Sequence, residues 1–246
     1  MGIRVEMHGK VARIVLDRPE ARNAINAEMA AGLDAALTSI DDDPEVHVAV
    51  LSAEGPVFSA GADLKETAVT GGVGIETEHG FAGVVRHPFG KPLIAAVTGP
   101  AVAGGFELVL ACDLVVAGAS STFSLPEVRH GLVAGAGGLV RLAHRTSAAL
   151  ASEVALTTRP VTAARLHQLG FVIEVVSDDQ VVPHAMALAE EVAAFSPDAL
   201  RLTKRVLRAG EDWRANDEAV VELRGGLQFL EGPTAFAEGR DPSWNQ

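Results

Sequence analysis

One cysteine, no tyrosine and two tryptophans in 246 residues set the first limits on this chain. A lone thiol, Cys112, forbids an intrachain disulfide and suits a reducing compartment, so a cytoplasmic protein is expected. It lies in an apolar stretch, where a small buried hydrophobe is a better expectation than a nucleophile. Aromatic residues make up only 4% of the chain, too few for platforms that stack nucleobases. Lysine and arginine number 20 against 32 acidic residues, a formal net charge of −12 that argues against nucleic acid, which rewards a basic face. A small anionic ligand stays open, because it needs a few local cations and not a basic whole. No apolar run reaches the roughly 18 residues of a membrane helix, so no membrane partner is expected. The start, Met1-Gly2-Ile3-Arg4-Val5-Glu6, lacks the apolar stretch of a signal peptide.

What is present is a hydrophobic content of 48%, enough to bury a substantial core. Alternation over residues 3–16 around His8-Gly9 predicts a strand hairpin that Pro19 ends. Asn23 and Asn26 are candidate caps for a helix near 27–40, with Met29, Leu33, Leu37 and Ile40 on one face. Val46–Leu51 reads as a buried strand, and residues 52–66 as a small-residue loop entering a short helix. Residues 67–80, rich in Gly and Thr, read as a surface loop, either a plain linker or a substrate lid, with a helix near 80–86 after them. Leu93–Val97 reads as a buried strand, with short strands at 114–117, 122–124 and 172–176. Helices are expected at about 138–144, 147–157, 162–169, 179–194, 197–209 and 214–230. Alternating β and α segments to about residue 145, then a helical run, predict an α/β fold with a helical C-terminal part. No fixed-period repeat and no long linker divides it.

The stretch organising the chain is Val97–Asp113, where a Gly-Pro bend stops one strand and Gly104-Gly105 opens an almost wholly apolar helix. That helix carries one carboxylate, Glu107, in its first turn. Two readings fit that carboxylate: a solvent-facing Glu favoured by the helix start, or a desolvated general acid/base beside bare glycine amides. Other chemistries find little footing. Gly135-Ala136-Gly137-Gly138 begins like a dinucleotide fingerprint but lacks its third glycine and a preceding strand. Gly90-Lys91 runs into Pro92, so it is no phosphate loop. Ser59 lacks the upstream glycine of a nucleophile elbow. The histidines show no helical metal pair, and Glu127 with His130 straddles a turn, so no metal site is expected.

Two loops share one design, small residues entering a helix start: Phe58-Ser59-Ala60-Gly61-Ala62-Asp63 and Ala103-Gly104-Gly105-Phe106-Glu107. Such loops let a ligand reach main-chain N–H groups, and two amides converging on one carbonyl oxygen would form an oxyanion hole. Phe58–Glu66 followed by Gly104-Gly105-Phe106-Glu107-Leu108 resembles the crotonase (enoyl-CoA hydratase/isomerase) superfamily. Asp17–Ala24, Leu125-Pro126-Glu127-Val128, the Gly-rich turn before Arg141-Leu142 and Phe236–Pro242 extend the resemblance over nearly the whole chain.

The resemblance implies a spiral ββα core over residues 1–195, with a C-terminal helical region, 196–246, that helps form trimers or dimers of trimers within one continuous folding unit. Ala60 and Gly104 would hold the thioester carbonyl, and Glu107 and Glu127 would be the catalytic pair. Ala62, Asp63, Leu64 and Lys65 would border the adenine end of coenzyme A, and Arg22 would meet its phosphates. Coenzyme A belongs to the substrate, and no separate cofactor is implied. The implied activity is an enoyl-CoA hydratase of fatty acid β-oxidation type, adding water across the 2,3-double bond. Both carboxylates are useful there: one activates water at C3 and the other delivers a proton at C2. Carnitinyl-CoA dehydratases are the near alternative, followed by isomerases or hydrolases of the superfamily and by an acyl-CoA binder without turnover. Asp63 has a plainer role as a helix cap, Lys65 as a solvated charge, and Asp113 as a structural residue. Two departures stand out. Thr98 precedes Gly99 where many members carry Asn, and the sequence closes on Trp244-Asn245-Gln246 without the basic residue some members use, shifting phosphate contact to Arg22 and Lys65.

Overall fold

The computed structural model describes residues 2–210 and 213–244. β1 (Ile3–His8) and β2 (Val11–Leu16) form the expected hairpin, turning at Gly9, whose φ of +57° suits a residue without Cβ. Asn26 caps α1 (Ala27–Asp42) by accepting the Met29 amide at 2.9 Å, and Met29, Leu33, Leu37 and Ile40 turn inward as their spacing predicts. β3 (Val48–Ala53) leads to α2 (Leu64–Thr70), β4 (Glu76–Thr77) and β5 (Gly80–Phe81). β6 (Leu93–Val97) and β7 (Ala101–Val102) enter α3 (Gly104–Ala111), followed by β8 (Leu114–Gly118) and β9 (Thr122–Ser124). Then come α4 (Gly138–Arg145), α5 (Ala148–Thr157), β10 (Val161–Thr162), α6 (Ala163–Gln168) and β11 (Glu174–Val176). The chain closes with α7 (Val181–Ala193), α8 (Pro197–Ala209), α9 (Trp213–Gly225) and α10 (Glu231–Glu238).

The main sheet has the order β1-β2-β3-β6-β8-β11, antiparallel at β1-β2 and parallel elsewhere. Its central strands are apolar on both faces because both faces are covered. Val48, Val50, Ile94, Ala96 and Val116 meet Val181, Ala185 and Ala189 of α7. Ala49, Leu51, Ala95, Val97 and Val115 face the larger core with α1, α3 and Phe58. A second sheet, β10-β9-β7, lies where β6 hands over to α3. This places the start of α3 and the end of β9 side by side. Among the described residues no helix is long and apolar enough to cross a membrane.

Three local expectations need correction. Residues 67–80 are not a loop throughout: α2 runs to Thr70, ended by left-handed Gly71, and β4 and β5 pair as a hairpin. No helix spans 80–86, because Gly80, Ala82 and Gly83 take φ of +77°, +58° and +68°. A Cβ on Gly83 would lie 2.4 Å from the Asp34 Cβ, so glycine alone fits against α1. The helix expected to 230 stops at Gly225, and a short 3-10 turn over Leu227–Phe229 precedes α10.

The C-terminal helices are tied back to the core by charge. Lys204 on α8 reaches Asp113 Oδ2 at 2.7 Å and the Lys91 carbonyl at 2.5 Å, while Arg208 meets Asp113 Oδ1 at 3.0 Å. Asp113 also accepts the Leu93 amide at 2.8 Å, so its role is structural as anticipated. Cys112 is buried, and burial pushes its thiol up to about 12, which removes the thiolate a nucleophile needs.

Candidate active site

Ala103 places the first candidate carboxylate. It caps α3 at φ +53°, ψ −127°, a conformation disfavoured for a residue with a Cβ. Its amide donates to the Ser124 carbonyl at 2.9 Å, and its own carbonyl accepts the Phe106 and Glu107 amides. One turn into the helix, Glu107 is buried, at 4% exposure, among apolar neighbours. The solvent-facing reading of Glu107 is therefore excluded. Its Oε1 accepts the Gly138 amide at 2.8 Å, and the Ala136 amide also bonds the carboxylate. A Cβ on Gly138 would sit 2.8 Å from Glu107 Cγ, so this glycine is required by close approach. The Gly-rich turn that failed as a dinucleotide fingerprint is a cradle for this acid.

Burial pushes the Glu107 carboxyl from 4.5 up to about 7, against the pull of the Gly138 amide, and the neighbouring Glu127 charge pushes the same way. Between pH 4.5 and 7 the folded state thus holds a proton that the unfolded chain releases. Stability falls as pH rises through this window and levels off above it. The shift corresponds to about 3 kcal/mol. Glu107→Gln escapes this cost. In urea denaturation, its stability relative to wild type is expected to rise by roughly that amount from pH 4 to pH 8. Parallel pH curves for the two proteins would mean that Glu107 titrates normally.

Glu127 opens a 3-10 turn, Glu127–His130, just after β9. Since Ser124 pairs with Val102 and accepts the Ala103 amide, this turn is carried to the start of α3. Glu127 is 9% exposed, and neither carboxylate oxygen has a hydrogen-bond partner among the described residues. Burial raises its pKa. Two buried acids close enough to perturb one another, one cradled and one with both oxygens free, suit a shared water and proton transfer near neutral pH.

The amide donors require a correction. The Ala60 N–H, expected in the oxyanion hole, is spent on the Arg22 carbonyl at 3.0 Å. A parallel bridge between Ile25 and Ala62 engages Gly61 O and Asp63 N, leaving the Ala62 amide without a partner among the described residues. The Gly104 amide, at the open helix start, is likewise unpartnered. Gly61, at φ +84°, lets the two loops touch: a Cβ there would lie 2.7 Å from Gly104 N. Sequence pattern points to the loop; only the Arg22 contact tells which alanine keeps its N–H.

Of the residues expected around coenzyme A, Asp63 is committed to structure. It caps α2 through the Lys65 and Glu66 amides and pairs with Arg18 at 2.7 Å, which holds its pKa below the usual carboxylate value. Leu64 and Lys65 are exposed beside it, Ala62 is half-buried, and Arg22 is exposed at the end of a 3-10 turn with φ +55°. Asn245 and Gln246, at the closing end, lie outside the described residues.

One group among the described residues could hold a metal ion: Asp34, His79 and His87, with ligand atoms within 4.8 Å of one another. Within the group only Asp34 and His79 hydrogen-bond one another, while His87 Nδ1 is buried with no partner among the described residues. His79 Nδ1 lies 2.5 Å from Asp34 Oδ1, the Thr77 hydroxyl also bonds that carboxylate, and His87 Nε2 lies 3.1 Å from Thr38 Oγ1. This clasp ties the β4-β5 hairpin to α1. The hairpin ends in Phe81, whose ring occupies the space a Gly104 Cβ would take.

The profile of the enoyl-CoA hydratase/isomerase family matches residues 6–246. A mevalonyl-coenzyme A hydratase of Aspergillus fumigatus is 38% identical over 242 residues, 94% of this chain and 90% of that protein. A carnitinyl-CoA dehydratase of Salmonella paratyphi A is 36% identical over 253 residues, 96% of this chain and 95% of its own. An enoyl-CoA hydratase of Mycobacterium tuberculosis H37Rv, in its crystal structure, aligns with a TM-score of 0.93 at 40% identity, covering 99% of this chain and 98% of that one. A carnitinyl-CoA hydratase of Mycobacterium avium aligns at 0.81 and 41% identity, again over 99% and 98%.

Proposed function

Since this chain belongs to the enoyl-CoA hydratase/isomerase family of the crotonase superfamily, we propose that it adds water across the 2,3-double bond of a 2-enoyl-CoA thioester. The observation that carries this reading is the pair of buried glutamates, one on an amide cradle and one with both oxygens free. The thioester carbonyl accepts the Ala62 and Gly104 amides, so the charge that builds on its oxygen as water attacks meets donors already aimed. Glu127 and Glu107 hold one water between them. The ionised member takes its proton as oxygen bonds to C3; the protonated member gives a proton to C2, and the pair ends with its net charge unchanged. Glu107, with a pKa of about 7, suits either half of that exchange. The exposed Arg22 and Lys65 side chains meet the phosphates of coenzyme A, with Ala62 and Leu64 against the adenine end. Self-association follows the family habit of trimers, through the apolar side chains that α9 and α10 leave exposed, Val221 and Phe236 among them.

The test is loss of conjugated enoyl-thioester absorbance when purified protein meets crotonyl-CoA. Rapid loss supports the hydratase reading; acyl-CoA binding with no loss rejects it. A second reading, dehydration of carnitinyl-CoA, the same reaction run in reverse, is favoured by the relatives of that name, and the same two glutamates serve it. Turnover of carnitinyl-CoA far above crotonyl-CoA would select it.

A further inference from the structure

Arg141, on α4, carries a guanidinium that meets no carboxylate within ion-pair distance among the described residues. Half-buried, it donates Nη1 to the Ala136 carbonyl at 2.9 Å and Nη2 to the Val85 carbonyl. Both acceptors matter. Ala136 begins the turn whose Ala136 and Gly138 amides grip Glu107. Val85 belongs to the segment that follows Phe81, whose ring packs on Gly104. Gly137, between the two gripping amides, takes φ +92°, and a Cβ there would lie 2.5 Å from Arg141 Nη1. One planar fork therefore joins the Glu107 cradle to the wall beside the free Gly104 amide.

We propose that Arg141 is a positioning residue for the hydration step: by bridging the Ala136 and Val85 carbonyls it holds the Gly137-Gly138 turn in the conformation that aims its amides at Glu107. This rests on the hydratase reading above for its kinetic consequence, but not for its structural one. The guanidinium also draws the Glu107 carboxylate electrostatically, opposing the push from burial and from Glu127. A lysine keeps the charge but offers a single ammonium where two carbonyls must be spanned, so it restores the attraction and not the geometry.

The experiment compares wild type, Arg141→Gln and Arg141→Lys by two readouts. The first is infrared titration of the 13C-labelled glutamate carboxyls, with Glu107→Gln identifying the Glu107 signal; it needs no turnover. Glu107 is expected to titrate at higher pH in Arg141→Gln and closer to wild type in Arg141→Lys. The second is hydration of crotonyl-CoA. Both variants should lose about tenfold to a hundredfold in kcat, the scale for a misplaced catalytic group, with KM little changed. The pH limb of Arg141→Gln alone should move upward. A folded Arg141→Gln with an unmoved Glu107 titration overturns the proposal, as does activity that falls only with the folded fraction. Inactive wild type with a shifted Glu107 titration in Arg141→Gln would instead reject the hydratase reading and leave the positioning role intact.

Discussion

Glu107→Gln and Glu127→Gln should each cut kcat for crotonyl-CoA hydration by about 10²–10⁴, the usual range for one positioned acid or base. Glutamine keeps the volume and can still accept the Gly138 amide through its carbonyl oxygen, so the cradle around position 107 survives. What disappears is the exchangeable proton. At position 127, neither oxygen has a partner among the described residues, and an amide there places fixed donors where a water hydrogen should point. The double variant should cost little more than the worse single one, because two groups gripping one water act as a unit. Losses that multiply would mean the two acids serve separate steps. Retention of more than about a tenth of wild-type kcat by either variant would remove it from general acid–base work altogether.

Gly104→Ala is the second large effect. The new Cβ would lie 2.6 Å from two atoms of the buried Phe81 ring and 3.4 Å from Gly61 Cα. The ring atoms are the tip of the Phe81 side chain, but burial leaves the ring little room to yield and Gly61 Cα is backbone, so the helix start is expected to shift and its amide with it. Loss of one aligned oxyanion donor costs about 10²–10³ in kcat. KM should change much less, since the donor acts on charge that appears only during reaction. Circular dichroism and thermal unfolding, run alongside, separate a moved amide from an unfolded protein. A rise in KM at constant kcat would show that the Gly104 amide only binds the ground state, and the oxyanion assignment would fall.

Much of the frame was legible because its periodicities are strong. The four-residue spacing on α1, its Asn26 cap and the apolar runs of β3 and β6 report local preferences that tertiary contacts reinforce. The failures are equally physical. Phe81, Val84 and Val85 fall at helical spacing and all three are buried, yet Gly80, Ala82 and Gly83 turn the backbone left-handed against α1. Strands of two residues, as in β4 and β5, are too short to show alternation. In α10, Gly232-Pro233 hides a helix whose first turn tolerates proline. At the site, the carboxylate of Glu107 in an apolar helix stood out as unusual but left two readings open, and Glu127 entered only through the family resemblance; Ala60 and Ala62 differ in whether Arg22 accepts from them, which no residue type shows.

Asp113 has a consequence for the order in which the protein is made. Its carboxylate and the Lys91 carbonyl lie at the two ends of the β6–α3 unit that bears Glu107 and Gly104, yet their partners Lys204 and Arg208 emerge from the ribosome much later. Until then Asp113 stays hydrated and the Leu93 amide it holds is the first of its contacts available. Contacts this distant along the chain raise its contact order, which slows folding as a whole. The β6–α3 unit is thus synthesised well before α8, and its ties to Lys204 and Arg208 become available only once the chain has been made past residue 208.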